Sequence, residues 1–94
     1  MLHDDEIVTA LAGLPGWERD GAQLHRSYKY RNFVEAMGFV TRVALLAEKA
    51  NHHPDIDIRW NTVTLVLSTH DAGGLTSKDT ELAAKIDGLA GATT

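Results

Sequence analysis

Asp55-Ile56-Asp57-Ile58-Arg59-Trp60-Asn61-Thr62-Val63-Thr64-Leu65-Val66-Leu67-Ser68-Thr69 alternates apolar and polar residues on both sides of a short polar break. That period of two belongs to a strand, because successive side chains of a strand point to opposite faces. Ile56, Ile58 and Trp60 fall on one parity, and Asp55, Asp57 and Arg59 on the other. A turn at Asn61-Thr62 lets Val63, Leu65 and Leu67 continue the same apolar face, so residues 55–69 read as a hairpin. The Asp-x-Asp-x-Arg parity is left to solvent or to a ligand. A second hairpin is expected at residues 17–30, where Asp20-Gly21 is a two-residue turn signal. In that register Trp17, Ala22, Leu24, Tyr28 and Tyr30 share one face, and Glu18, Gln23, His25, Ser27 and Lys29 the other.

Helical spacing fills the rest. Residues 4–13 carry Asp4, Asp5 and Glu6 at the end where a helix dipole favours anions, then Ile7, Ala10, Leu11 and Leu14 at i, i+3, i+4, i+7; Gly13, Pro15 and Gly16 stop the helix. Residues 33–50 form the longest helix, with Asn32 as N-cap, Glu35 as its capping-box partner and Pro54 as the far limit. Residues 77–89 form the last, with Thr76 as N-cap, Asp79 at N3 and a buried stripe of Leu82, Ala83, Ile86 and Leu89. Two hairpins separated by helices require an antiparallel α+β layer structure in the order αββαββα. The 33–50 helix is apolar over more of its circumference than one contact with a sheet needs. Phe39, Val43, Leu46 and Ala50 lie on one line; Phe33, Met37, Val40 and Ala44 on a second; Val34 and Leu45 on a third; Glu35, Arg42 and Lys49 keep a narrow polar strip. The excess predicts that this helix also packs on another subunit.

Composition sets the bounds. The 94 residues suit one domain, 1–94, with only Gly91 to Thr94 reading as a loose tail. With no cysteine there is no disulfide framework, thiolate metal site or cysteine nucleophile. Nine Lys+Arg against thirteen Asp+Glu provide no basic footprint for nucleic acid, and no apolar run reaches the ~18 residues of a membrane span. The acidic start, Met1 to Glu6, is unlike a leader peptide. The expectation is a cytoplasmic protein acting on a small molecule or on another protein.

The chemistry concentrates late in the chain. Of five histidines, His52, His53 and His70 fall within 19 residues, all at ends of predicted elements, where sites gather; His3 and His25 stand apart as idle surface residues. Glu48 interrupts the apolar arc one helical turn before His52 and has two readings. It fixes that imidazole's tautomer through a hydrogen bond, or it extends its head into water. Asp79 likewise either caps its helix or pairs with a histidine. The glycines of Asp71-Ala72-Gly73-Gly74 would let a ligand approach the backbone. His52 and His53 are adjacent rather than at i, i+4, so zinc is not indicated, and Ser68 lacks the glycines of a nucleophile elbow.

Taken together, Glu48-Lys49-Ala50-Asn51-His52-His53-Pro54-Asp55, then Ser68-Thr69-His70-Asp71, then Leu75-Thr76-Ser77-Lys78-Asp79 resemble the pterin-4a-carbinolamine dehydratase family; the likeness extends through Phe33 to Ala44 and back to Trp17. The resemblance implies a four-stranded antiparallel sheet with three helices packed on one face. It implies a homodimer or homotetramer, built through the 33–50 helix and a sheet edge. It implies dehydration of a 4a-hydroxytetrahydropterin to quinonoid dihydropterin, in tetrahydropterin recycling, with no metal or organic cofactor. It carries catalytic roles onto His52, His53 and His70, supporting roles onto Glu48 and Asp79, and substrate contacts onto Ser68, Thr69 and Pro54. Under this reading His52 and His70 are acids toward the hydroxyl, His53 orients the pterin and Glu48 tunes His52. Vertebrate relatives also serve as a dimerisation partner of a transcription factor, so an interaction module of the same fold is the alternative. Asn51 and Ile56 depart from the family pattern, which has an acid and an aromatic there in other members; both bear on the pterin side chain rather than on the histidines.

Overall fold

The computed structural model describes residues 1–93, with side chains through Leu89. Its elements are α1 (Asp4–Ala12), β1 (Glu18–Asp20), β2 (Gln23–Lys29), α2 (Phe33–Ala50), β3 (Asp55–Arg59), β4 (Thr62–Leu67), one 3-10 turn (His70–Ala72) and α3 (Ser77–Thr93). Only the 3-10 turn is added to the expected order. α3 runs on to Thr93 through residues expected to be tail, and Thr94 lies outside the described residues. The four strands form one antiparallel sheet in the order β1-β2-β4-β3. The second strand of each hairpin is central and the first is at an edge.

Leu24 and Tyr28 of β2 and Val63, Leu65 and Leu67 of β4 form the buried face. All three helices pack residues against it: Ile7 from α1, Ala36, Phe39 and Val43 from α2, and Leu82, Ala83 and Ile86 from α3. Phe39 sits between two tyrosine rings, 4.7 Å from Tyr28 and 5.1 Å from Tyr30 between centroids. Its full burial contributes about 1.5–3 kcal/mol before those ring contacts. Arg26 also points to this side, between Leu24 and Tyr28. It donates to Asp87 of α3 at 2.7 Å and lies 4.4 Å over the Tyr28 ring. Trp17 Nε1 and the Tyr28 hydroxyl donate to the same Asp87 Oδ1, at 2.9 and 2.7 Å. These bonds tie α3 to the first hairpin.

Both turns sit one residue from their expected places. In the first hairpin Asp20 pairs with Gln23, so the turn is Gly21-Ala22, and Gly21 supplies the positive φ of 59°. In the second, Arg59 pairs with Thr62 and the turn is Trp60-Asn61. The cause is a buried polar requirement. Asn61 Nδ2 donates to the Tyr30 carbonyl at 2.7 Å, and Tyr30 N–H donates to the Asn61 carbonyl at 2.9 Å. Trp60 does not extend the apolar face of β3; it takes φ 51° in the turn and is 69% exposed.

α2 has the expected bounds. Asn32 Oδ1 accepts from Glu35 N–H at 2.9 Å, while the Glu35 carboxylate reaches back to Arg31 rather than to Asn32. One side of α2 packs on β4 and α3. Phe33, Val34, Met37 and Leu45 remain exposed on the other.

Candidate active site

The histidines are positioned by two element ends. Asn51 adopts the left-handed conformation (φ 52°, ψ 42°) that stops α2. The next bonds run from Asn51 N–H to the Glu48 carbonyl (3.2 Å) and from His52 N–H to the Ala47 carbonyl (3.1 Å). Those are the two closing bonds of a Schellman motif, and they fix the His52 backbone to the helix. His70 opens the 3-10 turn, which closes with Gly73 N–H donating to the His70 carbonyl at 3.0 Å and Gly73 at φ 72°.

These ends converge. His52, His53 and His70 line one cleft of about 380 Å³, with Ser68 and Thr69 of the chain leaving β4. Asn51, Asp71 and Lys78 line it too. Lys78 brings a cation that the sequence reading did not include; its signal was its place beside Asp79. Pro54 is not among the lining residues. It stands just before β3, where its missing N–H removes no bond from the sheet. His3 and His25 also lie outside the cleft. Among the described residues no group of three or more His, Cys, Asp or Glu side chains is arranged to hold a metal ion.

The carboxylates pair differently from expectation. Glu48 does not reach His52. It meets His53 Nε2 at 3.0 Å, and the two side chains are 82% and 59% exposed. The i, i+4 rule holds only while the helix continues, and Asn51 ends it before His52. His52, 12% exposed, instead turns Nε2 onto Asp79 Oδ1 at 2.6 Å. Asp79 is 0% exposed and fills both roles expected of it. Its Oδ2 accepts the Thr76 N–H at 3.0 Å, the cap of α3, and the Thr69 hydroxyl at 2.7 Å. The Thr69 hydroxyl is thus committed to Asp79, although the residue lines the cleft. The Met1 side chain lies against Gly74, where a Cβ would stand, while the space beside Gly73 is open; Leu2 N–H donates to the Leu75 carbonyl at 2.7 Å.

The arrangement supplies two kinds of imidazole. His52 is oriented by a buried carboxylate, as a general acid or base must be to work in one geometry. His53, paired with Glu48, and His70 are open to solvent.

The chain is similar to known proteins over nearly its whole length. The sequence model of the family described as Pterin 4 alpha carbinolamine dehydratase matches residues 1–89. Relatives whose names place them among the pterin-4-alpha-carbinolamine dehydratases include one from Roseiflexus castenholzii, 56% identical over 87 residues (93% of this chain, 94% of the relative). Another, from Nocardia farcinica, is 54% identical over 90 residues (96% and 95%). A crystal structure from Brucella melitensis, titled a transcriptional coactivator/pterin dehydratase, superposes with a TM-score of 0.91 at 36% identity, covering 95% of this chain and 97% of that one. A pterin dehydratase-like RuBisCO assembly factor of the alpha-carboxysome shares the fold alone, with a TM-score of 0.66 at 22% identity over 80% and 87% of the two chains. The chain thus belongs to the pterin-4a-carbinolamine dehydratase family, a family of dehydratases and so of lyases.

Proposed function

We propose that the cleft dehydrates a 4a-hydroxytetrahydropterin to the quinonoid dihydropterin by histidine general acid–base catalysis, in the cytoplasm and as a step of tetrahydropterin recycling. The observation that carries this reading is that imidazoles from positions 52, 53 and 70 line one cleft, with a buried carboxylate behind one of them. An imidazolium gives its proton to the 4a-hydroxyl as the C–O bond breaks, so water leaves. The N5 lone pair forms the new C4a–N5 double bond, and the N5 proton passes to a neutral imidazole. The protons balance and no other reactant is needed. His52 and His70 take the proton-transfer roles, His53 orients the pterin, and Asp79, in place of Glu48, holds His52.

The test follows loss of the carbinolamine in His52→Ala and His70→Ala. Each is expected to lower turnover by roughly 10²-fold, the lower end for a general acid or base, with an unchanged circular dichroism spectrum. Full activity in both variants would remove the assignment.

A second reading is favoured by the exposed apolar side of α2, formed by Phe33, Val34, Met37 and Leu45. It is an assembly surface, completing a homodimer or homotetramer together with the open edge of β3, or receiving a protein partner in a regulatory role. No nucleic acid or membrane belongs to either reading. Gel filtration with and without a candidate partner, beside the carbinolamine assay, separates them.

A further inference from the structure

We infer that Thr69 is a positioning residue for His52: with Thr76 it forms a one-way hydroxyl chain that orders the Asp79 carboxylate, keeps a proton on Nε2 of His52 and leaves Nδ1 as the nitrogen that exchanges a proton with the substrate. The proton order rests on geometry alone, and the identity of the substrate rests on the dehydratase reading.

The order follows from counting donors. Asp79 Oδ2 receives the Thr76 N–H at 3.0 Å, a group that can only donate, and the Thr69 hydroxyl at 2.7 Å. Both acceptor directions of that oxygen are then filled. Thr69 Oγ1 has one proton, and Asp79 takes it. At 2.8 Å from Thr76 Oγ1 it must therefore accept, so Thr76 donates. Thr76 Oγ1 in turn accepts from the Lys78 N–H at 3.3 Å. The chain runs from Lys78 through Thr76 and Thr69 to Asp79. Reversing it would set a hydroxyl lone pair against Oδ2, an unmade bond at a buried carboxylate. Oδ1 is left as the acceptor for His52 Nε2–H at 2.6 Å. Nδ1 of His52 has no hydrogen-bond partner among the described residues, and the ring lines the cleft.

His53 has no such support. Its partner Glu48 stands in solvent, and no hydroxyl among the described residues holds that carboxylate. Asp71 and Lys78 line the cleft, and Glu48 pairs with His53. Among the described residues the His52 side chain is bonded to Asp79 and to none of these three. Because the Thr69 hydroxyl faces Asp79 and not the cleft, its removal acts on the proton-transfer step and not on binding.

The test uses the intact chain. Long-range 1H–15N NMR of the imidazoles, at about pH 8 where an ordinary histidine is neutral, should find a low-field, exchange-protected ring proton on Nε2 of His52. Thr69→Val should speed its exchange roughly 10- to 100-fold, the factor for one lost hydrogen bond to a charged group, and lower kcat by a similar factor at nearly constant KM. Thr69→Ser should restore both. Assignment of the protected proton to Nδ1 overturns the inference, and so does wild-type exchange in Thr69→Val. The wild-type assignment and Thr69→Ser keep the first test decisive even where Thr69→Val does not fold. If the ring proton behaves as expected while no form of the protein consumes carbinolamine, the proton order stands and the dehydratase reading falls.

Discussion

Asp79→Asn exchanges one carboxylate oxygen for an NH2 group at almost constant volume, in a side chain that is 0% exposed. The amide has one acceptor atom for the donors that now share two. Of those donors, the Thr76 N–H cannot reverse, whereas the His52 ring can move its proton. The amide oxygen therefore keeps the Oδ2 position and the cap, and the NH2 turns to His52 Nε2. That nitrogen must become an acceptor, so the neutral ring carries its proton on Nδ1. The nitrogen left for substrate is then no base, and no negative charge stands behind the imidazolium. Three charge-assisted bonds become neutral ones at about 1 kcal/mol each, and the desolvation of a buried charge disappears with them. A net loss of about 1–3 kcal/mol leaves a domain of typical stability, about 5–15 kcal/mol, folded with a lowered Tm. Turnover should fall far more, by roughly 10²–10⁴-fold. Stopped-flow absorbance of carbinolamine decay, beside thermal unfolding by circular dichroism, separates the two effects. If the variant melts early yet keeps kcat within about threefold, Asp79 serves turnover only as a helix cap, and the oriented His52 carries no proton in the rate-limiting step.

Glu48→Gln should change kcat by less than about threefold, because both partners of its pair with His53 stand in solvent, where such pairs contribute little; a loss matching that of Asp79→Asn would return the tuning role to Glu48. Burial, with the hydrogen bond to and the charge of Asp87, pushes the Tyr28 phenol above its ordinary 10.0. The unfolded chain then releases this proton first, so the contribution is whole below about pH 10 and is lost above it at about 1.4 kcal/mol per pH unit, until the folded phenol ionises. Urea titrations across alkaline pH should show Tyr28→Phe less stable than wild type near neutrality by about 1–2 kcal/mol but with a shallower alkaline decline, and an equal decline would exclude Tyr28 as the source. Leu45→Asp places a charge on the exposed apolar side of α2 and should convert an assembly to smaller species in analytical ultracentrifugation; a monomeric wild type, or an unchanged variant, would mean that this side is no interface between copies.

The sequence made element types and faces legible, and pairings much less so. Both hairpin turns lie one residue from the expected place, yet no strand residue changes face. Moving a two-residue turn by one position changes the sum of paired residue numbers by two, and side chains alternate with a period of two. What displaced the second turn is the Tyr30 carbonyl, which needs Asn61 from across the sheet, a demand that no local window contains. The cluster around Asp87 was missed for the same reason, although parity did offer a sign: Arg26 shares the strand face of Leu24 and Tyr28, and a cation there needs an acid. At the site, residue types near element ends were enough to bring forward the three histidines and both acids. Choosing which acid serves which histidine required knowing where α2 stops and how α3 docks. Spacing put Glu48 under His52, whereas the left-handed Asn51 turned His52 toward a residue 27 positions away.

Under the proposed mechanism, that docking also couples stability to chemistry at a single carboxylate. Asp79 holds the first turn of α3 through Thr76 N–H and holds His52 through its other oxygen, so the cap and the oriented imidazole cannot be optimised separately. A substitution that frays the start of α3 without touching the cleft should cost turnover before it costs much stability. The His52 bond depends on the carboxylate's orientation to a fraction of an ångström, whereas the core of α3, built on Leu82, Ala83 and Ile86, begins a turn later.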